Sequence, residues 1–126
     1  PFLAVHIRRN EFVRLHPSVT PSVEEAAARL NVVLHERHLE QVFVATDARP
    51  NFRKSLRTLV KAPLYYFEPD DGAVVPEHKG HEDLTVLRIL ARGQYFVGTK
   101  TSSFSAAVKR ERRQLLADES TEEALC

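Results

Sequence analysis

The chain has 126 residues, 43% of them hydrophobic and 28% charged, a length and composition that fit one globular domain with one core and exclude disordered, fibrous and membrane classes. Eighteen basic groups stand against 17 acidic ones, so the net charge of +1 creates no global field for nucleic acid or anionic membrane. Any anion site has to be local.

The first element is Phe2-Leu3-Ala4-Val5-His6-Ile7, a short and nearly continuous apolar run of the kind that forms a strand covered on both faces of a parallel sheet. It ends in Arg8-Arg9-Asn10. After a polar loop with Pro17 and Pro21, the stretch from Ser22 to Glu40 carries Val23, Ala26, Ala27, Leu30, Val33 and Leu34 at helical spacing. Ser22 with Glu25 three residues on, or Thr20 before Pro21, supplies its start. Val42-Phe43-Val44-Ala45 reads as a second buried strand stopping at Thr46-Asp47, and Phe52, Leu56, Leu59 and Val60 predict a helix from Pro50 to Val60. Leu64 to Phe67 is a third short strand. From Glu68 to His81 the composition turns to Asp, Gly, Pro and charge, which predicts a long loop. Leu84, Leu87, Leu90 and Ala91 mark a third helix with Glu82 and Asp83 at its positive end. Tyr95-Phe96-Val97 is a fourth strand closing in Gly98-Thr99, and a last helix is predicted from about Ser102 to Leu116. The acidic tail after Asp118 is expected to fray.

Four strand–helix alternations without an internal repeat predict a Rossmann-like α/β fold, a parallel sheet flanked by helices. The chain contains no methionine, and its single cysteine, Cys126, has no internal partner. We therefore expect residues 1–126 to be a single domain cut from a longer protein. No apolar stretch of about 18 residues is available for a membrane span.

Ligands of open parallel sheets bind beyond the carboxyl ends of the strands. Those ends carry His6, Arg8 and Arg9 on the first strand, Thr46 and Asp47 on the second, and Gly98 through Ser103 on the fourth. In the usual order 3-2-1-4, the first and last sets face each other. Gly98-Thr99-Lys100-Thr101-Ser102-Ser103-Phe104-Ser105 is rich in hydroxyls and opens the final helix, whose unpaired amides and dipole attract anions such as a diphosphate. By itself, a serine-rich helix start reads first as a simple cap at Ser102 or Ser103, and the pairing with Arg8 is what favours a ligand. Arg8 reads either as an anion ligand or as an ion-paired surface arginine, and a lone His6 on a buried strand as a satisfied core residue. Asp47 is either a catalytic acid or a turn residue. Lys109-Arg110-Glu111-Arg112-Arg113 is read as a solvated helix face rather than a nucleic-acid patch. His35 with His38 and His78 with His81 lack a cysteine or third ligand, so no metal site is expected. Neither a P-loop nor a GxGxxG turn is present, and arginines in place of an acidic pair argue against a receiver domain.

Three blocks, His6-Ile7-Arg8-Arg9, Val42-Phe43-Val44-Ala45-Thr46-Asp47, and Tyr95 through Ser105 continuing into Val108-Lys109-Arg110-Glu111-Arg112, resemble the protein O-fucosyltransferases. They fall in the family's order across nearly the whole chain. The arginine-pair opening is similar to the branch that modifies thrombospondin repeats, and the Val-Lys-Arg-Glu-Arg ending to the branch that modifies EGF-like repeats, which leaves the branch open. The resemblance implies the C-terminal half of a GT-B glycosyltransferase, binding GDP-fucose for inverting, metal-independent transfer to Ser or Thr of a folded extracellular module in the endoplasmic reticulum lumen. It implies no cofactor beyond the donor. By position it makes Arg8 the catalytic arginine that meets the diphosphate, has His6 shape the same pocket, and gives Thr99, Ser102, Ser103 and Phe104 to the phosphates and nucleoside.

One position departs from the family. An aspartate expected to hold the nucleotide stands twelve positions before the motif's glycine, where this chain has Val86; Asp83, one turn earlier, takes its place if the helix start is shifted. Val86 also motivates an alternative, a non-catalytic nucleotide-binding or interaction domain on the same scaffold. A different sugar-nucleotide transferase is a third reading.

Overall fold

The structure, a computed structural model, describes residues 1–9, 20–67 and 83–125. Every residue of the first strand β1, Leu3–Ile7, is buried, because side chains on both of its faces meet helices. The helix α1, Val23–Arg37, starts at the predicted capping box: Ser22 Oγ accepts the Glu25 N–H at 3.1 Å, and Glu25 Oε1 accepts the Ser22 N–H at 3.3 Å. It stops three residues before Glu40, because His38 turns left-handed at φ 55° and closes the last carbonyls. Strand β2, Val42–Thr46, leads to helix α2, Pro50–Leu59, which begins with proline in its first turn. Strand β3 is Leu64–Tyr66. Helix α3, Leu84–Ala91, strand β4, Tyr95–Gly98, and helix α4, Ser103–Gln114, complete the predicted alternation. The long loop predicted from Glu68 to His81 lies outside the described residues, as does Cys126.

All pairings are parallel and the strand order is β3-β2-β1-β4-β5, so the expected 3-2-1-4 arrangement is present with one further strand. Alternate residues of each strand serve opposite faces. Leu3, Val5, Val42, Val44 and Val97 pack under Ala26, Leu30 and Val33 of α1 and Leu56 of α2. Ala4, Ala45 and Phe96 pack on the other face against Val86 and Leu90 of α3 and Val108 of α4. Each buried Val, Leu or Phe among them contributes about 1.5–3 kcal/mol relative to exposure. Gly93 lets the two layers close: a Cβ there would stand 2.6 Å from that of Ala4.

The tail corrects two expectations. Instead of fraying, it forms a short 3-10 turn, Glu119–Thr121, and strand β5, Glu122–Ala124, which pairs with β4. The basic run of α4 is not wholly a solvated face either, because Arg112 is buried. Its Nε donates to Glu122 Oε2 at 2.8 Å, its Nη1 to the carbonyls of Ala91 and Gly93 at 3.1 and 2.7 Å, and its Nη2 to Thr121 Oγ1 at 2.7 Å. A guanidinium survives burial only when its donors are satisfied and its charge is matched, and here the tail does both. Arg110 and Arg113 remain on the exposed side, as predicted.

Candidate functional site

Two threonines clasp the end of β1. Thr99, just past β4, donates its hydroxyl hydrogen to the His6 carbonyl at 2.9 Å and accepts the Arg8 N–H at 2.9 Å. Thr46, the last residue of β2, donates to the Ile7 carbonyl at 2.7 Å and accepts the Ala48 N–H at 3.0 Å. The chain leaving β1 is therefore fixed from both neighbouring strands, at the point where loops of a parallel sheet diverge.

The arginine pair divides its work. Arg9 turns into the scaffold: its Nη1 donates to the Pro21 carbonyl and its guanidinium lies 4.4 Å from the centre of the Phe52 ring. Burial pushes its pKa down, and the charges of Asp47 and Glu24 pull it part of the way back. Arg8 keeps a quarter of its side chain exposed, with Nη1 3.3 Å from Asp47 Oδ2. Asp47 is buried, and its other oxygen accepts the Arg9 N–H at 2.6 Å. It is a turn residue that anchors both arginines; the adjacent helix α2 is capped at Arg49 without a side-chain bond.

Across β4, the same Thr99 meets the start of α4. Its carbonyl accepts the Ser102 N–H at 3.1 Å, and Ser102 Oγ in turn accepts the Ser105 N–H at 3.3 Å, so Ser102 is the cap of the helix. Thr101 between them has φ 69°, a left-handed conformation costly for a β-branched residue. A pocket of about 350 Å³ opens here, lined by Thr99, Ser102, Ser103, Lys109 of α4 and Ala124 of β5 among others. Amides at a helix start and two lysines, Lys100 and Lys109, give this pocket a positive lining.

His6 and Phe104 are also brought together. Their ring centres are 4.9 Å apart, and His6, wholly buried, has its Nδ1 2.7 Å from Ser105 Oγ. His6 is thus a buried core residue with Nδ1 bonded, within reach of the motif that opens α4. Asp83 caps α3, accepting the Val86 N–H at 2.8 Å, and Val86 itself is core. In a parallel sheet α3 starts on the same side as the strand ends, so Asp83 lies on the edge that carries Arg8 and Ser102, although no bond of its carboxylate joins them. Sequence reasoning placed Ser105 in the hydroxyl-rich run that opens α4 but gave it no role of its own.

Among the described residues no three His, Cys, Asp or Glu side chains are grouped to hold a metal ion, and no helix is long and apolar enough to cross a membrane. His78 and His81 lie outside the described residues.

The profile of the family described as GDP-fucose protein O-fucosyltransferase matches residues 1–115. A human protein named GDP-fucose protein O-fucosyltransferase 2 is 32% identical over 121 residues, covering 96% of this chain and 28% of the human protein. The Drosophila melanogaster protein of the same name is 33% identical over 116 residues, covering 90% of this chain and 24% of its own length. The chain thus spans less than a third of these relatives. Among solved structures, POFUT1 in its apo form superposes with TM-score 0.71 at 22% identity over 98% of this chain and 41% of that one. POFUT1 in complex with GDP-fucose gives TM-score 0.64 at 25% identity, over 89% of this chain and 37% of that one. The Rossmann-like arrangement expected from the sequence is therefore also that of these structures.

Proposed function

The chain belongs to the GDP-fucose protein O-fucosyltransferase family, and we propose that it is the donor-binding, carboxyl-terminal domain of a GT-B enzyme that transfers fucose to Ser or Thr of a folded protein module. On this reading the acceptor hydroxyl attacks the anomeric carbon from the face opposite GDP, the bond to the β-phosphate oxygen breaks, and the configuration inverts. Negative charge grows on the departing diphosphate. The Arg8 guanidinium can meet it with two parallel hydrogen bonds, while amides at the start of α4 and the hydroxyls of Ser102 and Ser103 receive the phosphates from the other side. Arg8 has five donors, and Nη1 pairs with Asp47. Phe104 offers a ring surface to the nucleoside, His6 braces that ring from below, and Asp83 is the carboxylate assigned to the position lost at Val86.

The observation that carries this reading is Thr99. One residue holds the main chain of Arg8 through its hydroxyl and the start of α4 through its carbonyl, which supports a donor site shared by Arg8 and the helix entrance. The arginine-pair opening, similar to the branch that modifies thrombospondin repeats, supports that acceptor class, and we assign this protein to the endoplasmic reticulum lumen by the family resemblance.

A competition panel tests the assignment. GDP and GDP-fucose should bind this chain, GDP-mannose more weakly, and UDP-glucose not measurably; a preference for UDP-sugars contradicts it. The burial of Val86 supports a second reading, a domain that binds the nucleotide without turnover. Donor hydrolysis by the full-length protein separates the two, because a binding module leaves GDP-fucose intact.

A further inference from the structure

Ser105 is gripped from both sides although it lies outside the residues assigned to the donor. Its hydroxyl oxygen is 2.7 Å from His6 Nδ1, and it accepts the Thr99 N–H at 3.0 Å. A serine hydroxyl has one hydrogen and two lone pairs. The Thr99 amide uses a lone pair, so the state of His6 decides what happens to the hydrogen. Were Nδ1 protonated, in the neutral ring or in the imidazolium, Oγ would accept twice and its own hydrogen would have no acceptor at a buried position. With the proton on Nε2, Nδ1 accepts the Ser105 hydroxyl hydrogen, so Nδ1, Oγ and the Thr99 amide are all bonded. Nε2 makes no hydrogen bond among the described residues in either neutral tautomer and so does not discriminate between them.

From this arrangement we infer that Ser105 is a positioning residue, which holds His6 as the neutral tautomer protonated on Nε2 and, through His6 and the Thr99 amide, sets the turn that receives the donor diphosphate. Ser105 and Phe104 are consecutive in α4, and they hold one imidazole through its Nδ1 and through a tilted ring contact. The turn between β4 and α4 is thereby tied to β1 at the side chain of His6 as well as at its carbonyl. Gly98 leaves room for the device: a Cβ there would stand 3.0 Å from Ser105 Oγ and 2.9 Å from the Phe96 ring. The effect on the donor rests on the function proposed above; the tautomer does not.

The test measures the side-chain nitrogens of His6 by NMR in this chain, with Ser105→Ala and Ser105→Thr beside the wild type, and GDP affinity in the same samples. The wild type should show an acceptor-type Nδ1 and a proton-bearing Nε2 that persist on mild acidification. Ser105→Ala should let the imidazole exchange tautomers or take up a proton at higher pH, and should bind GDP about three- to tenfold more weakly. Ser105→Thr, which keeps the hydroxyl, should restore both. A purely structural serine would lower the melting temperature without moving the nitrogen signals. A proton on Nδ1 in the wild type, or unchanged His6 signals in folded Ser105→Ala, overturns the inference. Should Ser105→Ala not fold, the wild-type and Ser105→Thr spectra decide it. Absence of GDP affinity in the wild type contradicts the donor site alone, and the tautomer is still read directly.

Discussion

Arg112 of the last helix and Glu122 of the last strand form an ion pair in which both side chains are at least 96% buried, with Nε and Oε2 2.8 Å apart. The pair fastens β5 beside β4, and β5 contributes Ala124 to the wall of the candidate pocket. Arg113 also reaches Glu122, from the exposed side. Removing Arg112 takes away four hydrogen bonds and, among the described residues, leaves Glu122 with Arg113 alone, so Arg112→Ala should destabilise the chain by about 3 kcal/mol. Arg112→Met, which keeps most of the volume, should cost less than Arg112→Ala, because it still fills the space that the longer side chain occupied. Urea denaturation checks both, and equal stability of Arg112→Ala and wild type would contradict the assignment.

Asp83 allows its two roles to be separated. As the cap of α3 it accepts the Val86 N–H at 2.8 Å, a role that asparagine fills about as well as aspartate. Asp83→Asn should therefore keep the melting temperature, whereas Asp83→Ala should cost about 1 kcal/mol. If the charge also helps to hold the nucleotide, Asp83→Asn loses GDP affinity at unchanged stability. Equal GDP affinity in the two proteins confines Asp83 to capping.

The elements that were legible in the sequence are those that local pattern specifies. Continuous apolar runs gave β1, β2 and β4, and the 3.6-residue period gave α1, with Ser22 and Glu25 marking its start. Strand β5 was not legible, since Glu122-Glu123-Ala124 has neither alternation nor β-branched residues. Its place is set by partners far along the chain: Glu122 meets Arg112, while Glu123 accepts the Tyr95 hydroxyl hydrogen at 2.8 Å and pairs with Arg29. The candidate site divides in the same way. Ser102 was readable as a cap with a helix behind it, but the bond between Ser105 and His6 joins positions 99 residues apart and leaves no local trace. Asp47 was ambiguous for a related reason: only the fold decides whether a carboxylate after a strand faces solvent or the arginines of its neighbour.

Tyr66 sets a pH dependence. It donates its hydroxyl hydrogen to the Arg53 carbonyl at 2.7 Å, and burial pushes its pKa up to about 12, against the opposing pull of Arg57 and Arg53. A folded-state pKa above the unfolded value of about 10 means that the folded chain holds the proton more tightly. The stability linked to this group is then fully present below pH 10 and is lost as the pH rises toward 12. Burial also raises the Tyr95 phenol, so absorbance titration should show late-ionising tyrosines of which the Tyr66 component is absent in Tyr66→Phe, with a shallower loss of stability between pH 10 and 12 in that variant. Titration of every tyrosine near pH 10 would contradict the assignment.

The central claim is that Arg8 and the start of α4, joined through Thr99, receive one diphosphate. Isothermal titration of GDP into wild-type, Arg8→Lys and Arg8→Ala chains tests it most directly. The account predicts measurable GDP affinity in the wild type and a loss of about tenfold or more in Arg8→Ala, with lysine recovering only part because a point charge cannot make two parallel bonds. Unchanged affinity in a folded Arg8→Ala chain, or no affinity in the wild type, would contradict it.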